Sequence, residues 1–268
     1  MMSGKTAIAI SAHPDDIEFY MAGTLLLLRK AGYATHYFSL GSGNCGTKEY
    51  GSARIKSMRA AESRQAAGIL GAQYHPSVTD DLEITYGVKL LRRLVAVIRE
   101  VQPTILLTHS PQDYMEDHMS ASRLAVTAAF ARGMRNFKSS PQRASADYDI
   151  TVYHSMPHGL CDGLRRRIIP GLFVDTSSVQ KTKRAALAVH QSQQGWLDAS
   201  QSMSSFLLTM EEMSLELGRM SKTFKHAEGW RRRLHLGFCS SDADPLREAL
   251  GKRCLINNAY ERQLLKGI

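Results

Sequence analysis

Thr6-Ala7-Ile8-Ala9-Ile10-Ser11, running through Ala12 into His13-Pro14-Asp15-Asp16, decides how this 268-residue chain is read. The first six residues are apolar and carry β-branched side chains, the composition of a strand buried on both faces. The abrupt change to His-Pro-Asp-Asp marks the carboxyl end of that strand. A helical stretch follows through Leu25 to Lys30 and stops at Gly32. A buried strand that ends on polar residues and turns straight into a helix opens an α/β unit.

The pattern repeats downstream. Ala34 to Leu40 reads as a second strand and Gly41 to Gly51 as a glycine-rich loop. Ser52 to Leu70 has helical periodicity and ends at Gly71; Val88 to Val101 is a further helix, closed by Pro103. Thr104 to Thr108 is a third buried strand, followed by a helix from His118 to Arg132. Ile150 to Tyr153 and Leu172 to Val174 read as short strands, and Ser177 to Gln193 as a helix. This alternation implies an α/β fold with a mostly parallel sheet and helices on both faces. Ligands in such sheets sit beyond the carboxyl ends of the strands. The His13–Asp16 run, the glycine loop and the segment after Thr108 all fall there. Residues 1–195 are expected to form one catalytic core. Residues 196–268 are expected to be a C-terminal extension, helical and packed on the core, with a polar connection at Ser200 to Ser205 and a helix from Phe206 to Met220.

Hydrophobic residues make up 43% and charged residues 22%, a globular balance. No apolar run approaches the ~18–20 residues needed to cross a bilayer. The apolar stretch Ala7 to Ile10 is too short for a signal-peptide core, so a cytoplasmic protein with no membrane span is expected. Cys45, Cys161, Cys239 and Cys254 are scattered without C-x-x-C spacing and are expected as free thiols. Lys and Arg number 34 against 25 Asp and Glu, with clusters at Arg165-Arg166-Arg167 and Arg231-Arg232-Arg233. That excess suits an anionic ligand or a solvated basic face. No nucleic-acid motif accompanies it, so a nucleic acid is not the expected partner. A homo-oligomer is compatible with the sequence.

Zinc takes imidazole nitrogen and carboxylate oxygen, and a catalytic site keeps one position for water. His13 and Asp16 are three apart at a strand-to-helix turn. With Pro14 at the first helical position, both can face one point, leaving Asp15 directed into the cleft. The alternative is a helix cap, since Asp15 and Glu18 have capping-box spacing and carboxylates there offset the helix dipole. A third ligand must come from His109-Ser110-Pro111-Gln112-Asp113-Tyr114-Met115-Glu116-Asp117-His118. His118 opens a helix on the same sheet edge, and Asp117 is placed to orient its ring. His109 competes, although capping the strand by hydrogen bonding is its simpler role.

These residues resemble the PIG-L/LmbE-like family of zinc-dependent N-acetylglucosaminyl deacetylases. The resemblance is carried by His13-Pro14-Asp15-Asp16-x-Glu18, by Ala22-Gly23-Thr24-Leu25, and by Asp117-His118 after a strand. Arg59-x-x-Glu62, the Asp81 region and His190-x-Ser192-Gln193 extend it over residues 5 to 195. It implies a Rossmann-like fold and one Zn²⁺ per chain held by His13, Asp16 and His118; the same ligands suit other divalent transition metals. It implies Asp15 as general base, and Arg59, Asp81 and His190 as substrate-binding residues. The implied reaction removes the acetyl group from an N-acetylated amino sugar, an N-acetylglucosamine-type conjugate whose aglycone the basic charge suggests is anionic. Without the resemblance, Arg59 reads as a helix-surface partner of Glu62, Asp80-Asp81 as a turn, and His190 as a histidine near a helix end.

One departure stands out. Many members carry a histidine that steadies the developing oxyanion where this chain has Met115. Losing one such donor costs about 10²–10³-fold, and His154, His158, His190 and Tyr114 are the candidates to stand in. Two other functions compete. Gly41-Ser42-Gly43-Asn44-Cys45-Gly46 spells G-x-G-x-x-G, the pattern of a nucleotide-binding loop. It follows the second strand, and no acidic strand end comes ~20 residues later. Met115 also fits a sugar-binding member without catalysis. Cys45 has no histidine near it in sequence to activate it as a nucleophile.

Overall fold

Strand β1 (Thr6–Ser11) forms where small and large apolar residues alternate. Ala7 and Ala9 enter one hydrophobic layer, Ile8 and Ile10 the other, and all four are fully buried. A strand buried on both faces belongs in the middle of a sheet covered by helices. The computed structural model, which describes residues 4–193 and 206–266, places it there.

The chain continues through α1 (Asp16–Tyr20), α2 (Ala22–Lys30), β2 (Ala34–Ser39), α3 (Ser52–Leu70), β3 (Gln73–His75), α4 (Val88–Val101), β4 (Ile105–Thr108) and α5 (Glu116–Phe130). It then forms β5 (Thr151–Ser155), β6 (Leu172–Asp175), α6 (Gln180–Leu187), α7 (Phe206–Ser221), β7 (Ala227–Arg232), α8 (Pro245–Leu250), β8 (Cys254–Ile256) and α9 (Asn258–Lys266). The eight strands make one sheet in the order β3-β2-β1-β4-β5-β7-β6-β8. The first five run parallel, whereas β7 is antiparallel to β5 and β6, and β8 is antiparallel to β6. Leu94, Val95 and Ile98 of α4 and Leu124 and Ala125 of α5 pack on the Ile8 face. Leu25 and Leu28 of α2, Ala186 and Leu187 of α6, and Phe206 and Met210 of α7 pack on the Ala7 face.

Successive strands run outward from β1 through β2 to β3, then cross to β4 on the other side. The strand order thus reverses at β1, and the crevice beyond the carboxyl ends of β1 and β4 is where ligands bind in such sheets.

The last quarter differs from the helical extension expected after residue 195. Strand β7 inserts between β5 and β6, so residues 227–232 complete the central sheet and position 195 is not a boundary of it. Trp230 of β7 is fully buried and donates Nε1–H to Thr24 Oγ1 at 3.0 Å. Glu228 is also buried, at the N-terminus of α2. Its Oε1 and Oε2 accept the Gly23 and Thr24 amides, both at 2.8 Å, and Lys183 Nζ lies 2.7 Å from Oε1. A charged residue is tolerated inside the sheet because it satisfies two orphan helix amides, offsets the helix dipole and pairs with a lysine. The helix expected over Ser177 to Gln193 is interrupted, with residues 191–193 helical again after a break. A 3₁₀ turn at Ser177–Val179 leads into α6, which ends at Leu187. The polar connection expected at Ser200 to Ser205 lies outside the described residues. No helix among the described residues is long and apolar enough to cross a membrane.

Candidate metal and catalytic site

The turn after β1 decides between a helix cap and a site. Helix α1 starts at Asp16, two residues later than Pro14 at a first helical position would give. Asp15 occupies the N-cap with φ 95°, a left-handed backbone that Asp adopts more readily than most residues. Its side chain makes no capping hydrogen bond. Instead Asp15 Oδ2 accepts from Arg59 Nη2 at 2.8 Å, and the same nitrogen donates to the Pro14 carbonyl. The Asp15 carboxylate is thus held in the cavity beside β1, and the capping alternative is not realised.

His13, Asp16 and His118 each bring one ligand atom to within 4.8 Å of the others. Asp16 is the hub. Its Oδ2 accepts the His13 amide at 2.7 Å and lies 3.5 Å from His13 Nδ1, while Oδ1 lies 3.3 Å from His118 Nε2. The remaining ring nitrogens face other carboxylates. His13 Nε2 is 3.0 Å from Asp117 Oδ2, and His118 Nδ1 is 3.2 Å from Asp113 Oδ2. Asp117 was expected to orient His118 but holds His13. Neighbouring residues on a helix point about 100° apart, so Asp117 and His118 cannot share a target. Asp113, in the loop before α5, takes the role assigned to Asp117.

His109 meets its simpler expectation, since its Nε2 accepts the Ala12 amide at 2.9 Å. Its ring stacks on His118, with centroids 4.1 Å apart and planes 8° apart. Although His109, Asp113 and His118 also cluster as ligand atoms, His109 Nε2 is engaged by that amide and Asp113 faces His118 Nδ1.

The three residues fit a divalent cation on one further observation: His118 Nε2 is buried and has no hydrogen-bond partner. A buried polar atom left unsatisfied is costly. The ring is aimed at Asp16, and a carboxylate with two imidazoles is a donor set for zinc and similar metals. Without a cation, protons compensate the carboxylates. Burial opposes the charged form of His118, but Asp16 and Asp113 raise it to about 10. Likewise, against burial, hydrogen bonds to Asp117 and Asp16 raise His13 to about 9. A metal would displace those protons. Burial pushes Asp15 up to about 6, with Arg59 pulling against it and Asp16 adding to it. Asp15 is therefore charged at neutral pH and close enough to neutrality to accept a proton.

A cavity of about 220 Å³ opens on these groups. Arg59 and Asp81, both expected to bind substrate, line it. Asp81 is committed to the glycine loop, because its carboxylate accepts the Gly43 amide at 2.7 Å and the Cys45 amide at 3.1 Å. A Cβ on Gly43 or Gly46 would collide with the Arg59 side chain. The glycines allow this close packing, and an acidic side chain occupies the loop amides that a phosphate would need, which argues against nucleotide binding. Burial and the nearby Asp81 raise Cys45, opposite to an activated nucleophile.

His190 does not line the cavity. It is fully buried behind α1, with Nε2 3.3 Å from Glu18 Oε1, and Tyr37 OH donates to Glu18 Oε2 at 3.2 Å. The chain leaves α6 at Leu187 and carries His190 against α1, where Glu18 engages its ring. Met115 does line the cavity, as does Tyr114, the one of the four stand-in candidates found there. His154 turns away to bond the His109 carbonyl, and His158 packs near Phe19 and Tyr114. Gln193, which holds Gly46 O at 3.0 Å, joins the wall without a sequence signal beyond the family resemblance.

The chain is similar to known proteins in sequence and in fold. Residues 8–129 match the family described as PIG-L: GlcNAc-PI de-N-acetylase. The chain is 32% identical over 193 residues to a 4-oxalmesaconate hydratase of Pseudomonas putida, covering 68% of this chain and 72% of that protein. The crystal structure of a 4-carboxy-2-hydroxymuconate hydratase from Pseudomonas putida superposes with a TM-score of 0.72 at 27% identity, covering 86% of this chain and 96% of that one. An N,N'-diacetylchitobiose deacetylase from Pyrococcus horikoshii gives 0.71 at 20% identity over 91% of this chain and 89% of its own, a likeness of fold. The span matched by the family contains both the His13–Asp16 turn and the Asp117-His118 helix start, and the chain belongs to the PIG-L family.

Proposed function

We propose that this chain is a metal-dependent hydratase that adds water across a carbon–carbon double bond of a small unsaturated carboxylate. The observation that carries water activation is the Asp15 carboxylate, held by Arg59 in the cavity and next to Asp16 in the chain, outside the His13–Asp16–His118 set. The choice of substrate rests on Met115 and on the similarity to the 4-oxalmesaconate hydratase.

A divalent cation on His13, Asp16 and His118, zinc being the first candidate, would supply Lewis acidity that acidifies water and polarises a substrate oxygen. Asp15 accepts the proton of the attacking water. As the new carbon–oxygen bond forms, the π pair moves to the neighbouring carbon and into its conjugated carboxyl or keto group; protonation of that carbon completes the addition. Arg59 keeps Asp15 charged. Its Nε, buried and unpartnered among the described residues, is a donor available to a substrate carboxylate. The position of Met115 favours hydration. Amide hydrolysis concentrates charge on the oxygen of the attacked carbon, where a lost donor is felt most. Conjugate addition spreads it onto atoms farther away.

A second reading is deacetylation of an N-acetylated amino sugar. It is supported by the family match and by the same Asp15 geometry, and it needs Tyr114 to act where Met115 cannot. The two separate in one assay. Zinc-loaded protein is expected to bleach the ultraviolet absorbance of a conjugated oxo-dicarboxylate without releasing acetate from N-acetylglucosamine conjugates. Acetate release without bleaching would reverse the assignment, and neither signal would refute both.

A further inference from the structure

A second polar groove runs along α5. It has a volume of about 470 Å³ and shares no lining residue with the catalytic cavity. Arg123 of α5 and Arg233, just after β7, line it, and neither has an ion-pair partner among the described residues. Arg123 lies over the Tyr86 ring, 4.2 Å from its centroid, and Arg233 lies 5.6 Å from the Phe238 centroid. The basic run of residues 231–233 is thereby divided. Arg232 pairs with Asp242, Arg231 donates to Ser110 Oγ at 3.1 Å, and Arg233 remains for the groove. Glu116 contributes one carboxylate against these two guanidinium groups.

The decisive residue is His154, which is 4% exposed and lines the same groove. Its Nδ1 is 2.8 Å from the His109 carbonyl. A carbonyl only accepts, so Nδ1 carries the proton. Burial and the nearby arginines push His154 down to about 4, despite that bond, so the ring is neutral. Nε2 is then a lone-pair acceptor, and it is buried with no partner. Such an atom calls for a ligand or water that donates to it. The groove therefore offers two positive forks and one buried acceptor. A carboxylate fits a guanidinium, and a hydroxyl on the same molecule fits the histidine.

We propose that this groove is a second binding site, for a small hydroxycarboxylate. Its carboxylate engages Arg123 and Arg233, and its hydroxyl donates to His154 Nε2. The site stands on its own residues, whichever reaction the metal centre performs.

Titration calorimetry on the zinc-loaded protein with malate and with succinate, which differ by one hydroxyl, tests it. Malate is expected to bind about tenfold tighter, the worth of one good hydrogen bond to a buried group. The double variant R123Q/R233Q is expected to weaken both ligands at least about tenfold while zinc content and turnover stay unchanged. The variant H154F is expected to erase the preference for malate. Equal affinity for malate and succinate in the wild-type protein would overturn the proposal. So would malate binding that R123Q/R233Q leaves intact, since that would place the ligand at the metal centre.

Discussion

Asparagine at position 15 is expected to lower kcat by about 10²–10⁴-fold, the usual worth of a positioned general base, with metal content unchanged. Asparagine has the shape of aspartate and still accepts a hydrogen bond from Arg59, so the turn and the cavity should persist. What it loses is the capacity to take a proton. Asp15 is not among the three clustered ligand atoms, so a loss of metal is not expected. The rate of the wild-type protein should decline as pH falls through about 6 or below, because Asp15 must be charged to act as a base. That acid limb should disappear from the residual rate of the variant. Near-wild-type turnover in Asp15→Asn would remove Asp15 from the chemistry.

The largest expected effect on stability lies away from the site. Glu228→Gln is expected to cost about 3–5 kcal/mol, as breaking one half of a buried ion pair does. Lys183 and Glu228 are 1% and 2% exposed, so the lysine left behind has no water to turn to. The neutral amide also serves the α2 amides of Gly23 and Thr24 less well than the carboxylate that now accepts both. Urea unfolding measures the loss. Lys183→Met in the same chain should recover part of it, because the uncompensated charge is gone. A change below about 1 kcal/mol, the size of an exposed pair, would show that the pair is not buried in solution.

Strands β1 and β4, the centre of the parallel half, were legible because their inner residues are uniformly apolar. Ala7 to Ile10 and Ile105 to Leu107 have no reading except burial on both faces. Strand β7 was not, since Ala227-Glu228-Gly229-Trp230-Arg231-Arg232 contains three charges in six residues. Glu228 is admitted only by partners about 45 and 205 positions away in sequence, which no local pattern reveals. Strands β3 and β8 have three residues each and leave no periodicity to detect.

The site divides in the same way. Residue type and spacing left His13 and Asp16 open between a helix cap and a metal site; the family resemblance implied the set with His118, and the structure brings the three together. Their supporting carboxylates could not. Whether Asp113 or Asp117 reaches a given ring depends on the path of the loop before α5 and on which way each helical position points. His190 is brought against Glu18 and fully buried, a placement that depends on the path of the chain after α6 and that no local pattern specifies. Asp81 reaches the cavity, but its oxygens are engaged by loop amides whose geometry the sequence does not specify.

Metal stoichiometry after zinc loading and desalting tests the central claim, that His13, Asp16 and His118 bind while Asp15 reacts. One zinc per chain is expected in the wild-type protein and in Asp15→Asn, and almost none in His118→Ala. Zinc retained in full by His118→Ala, or absent from the wild-type protein, would contradict it.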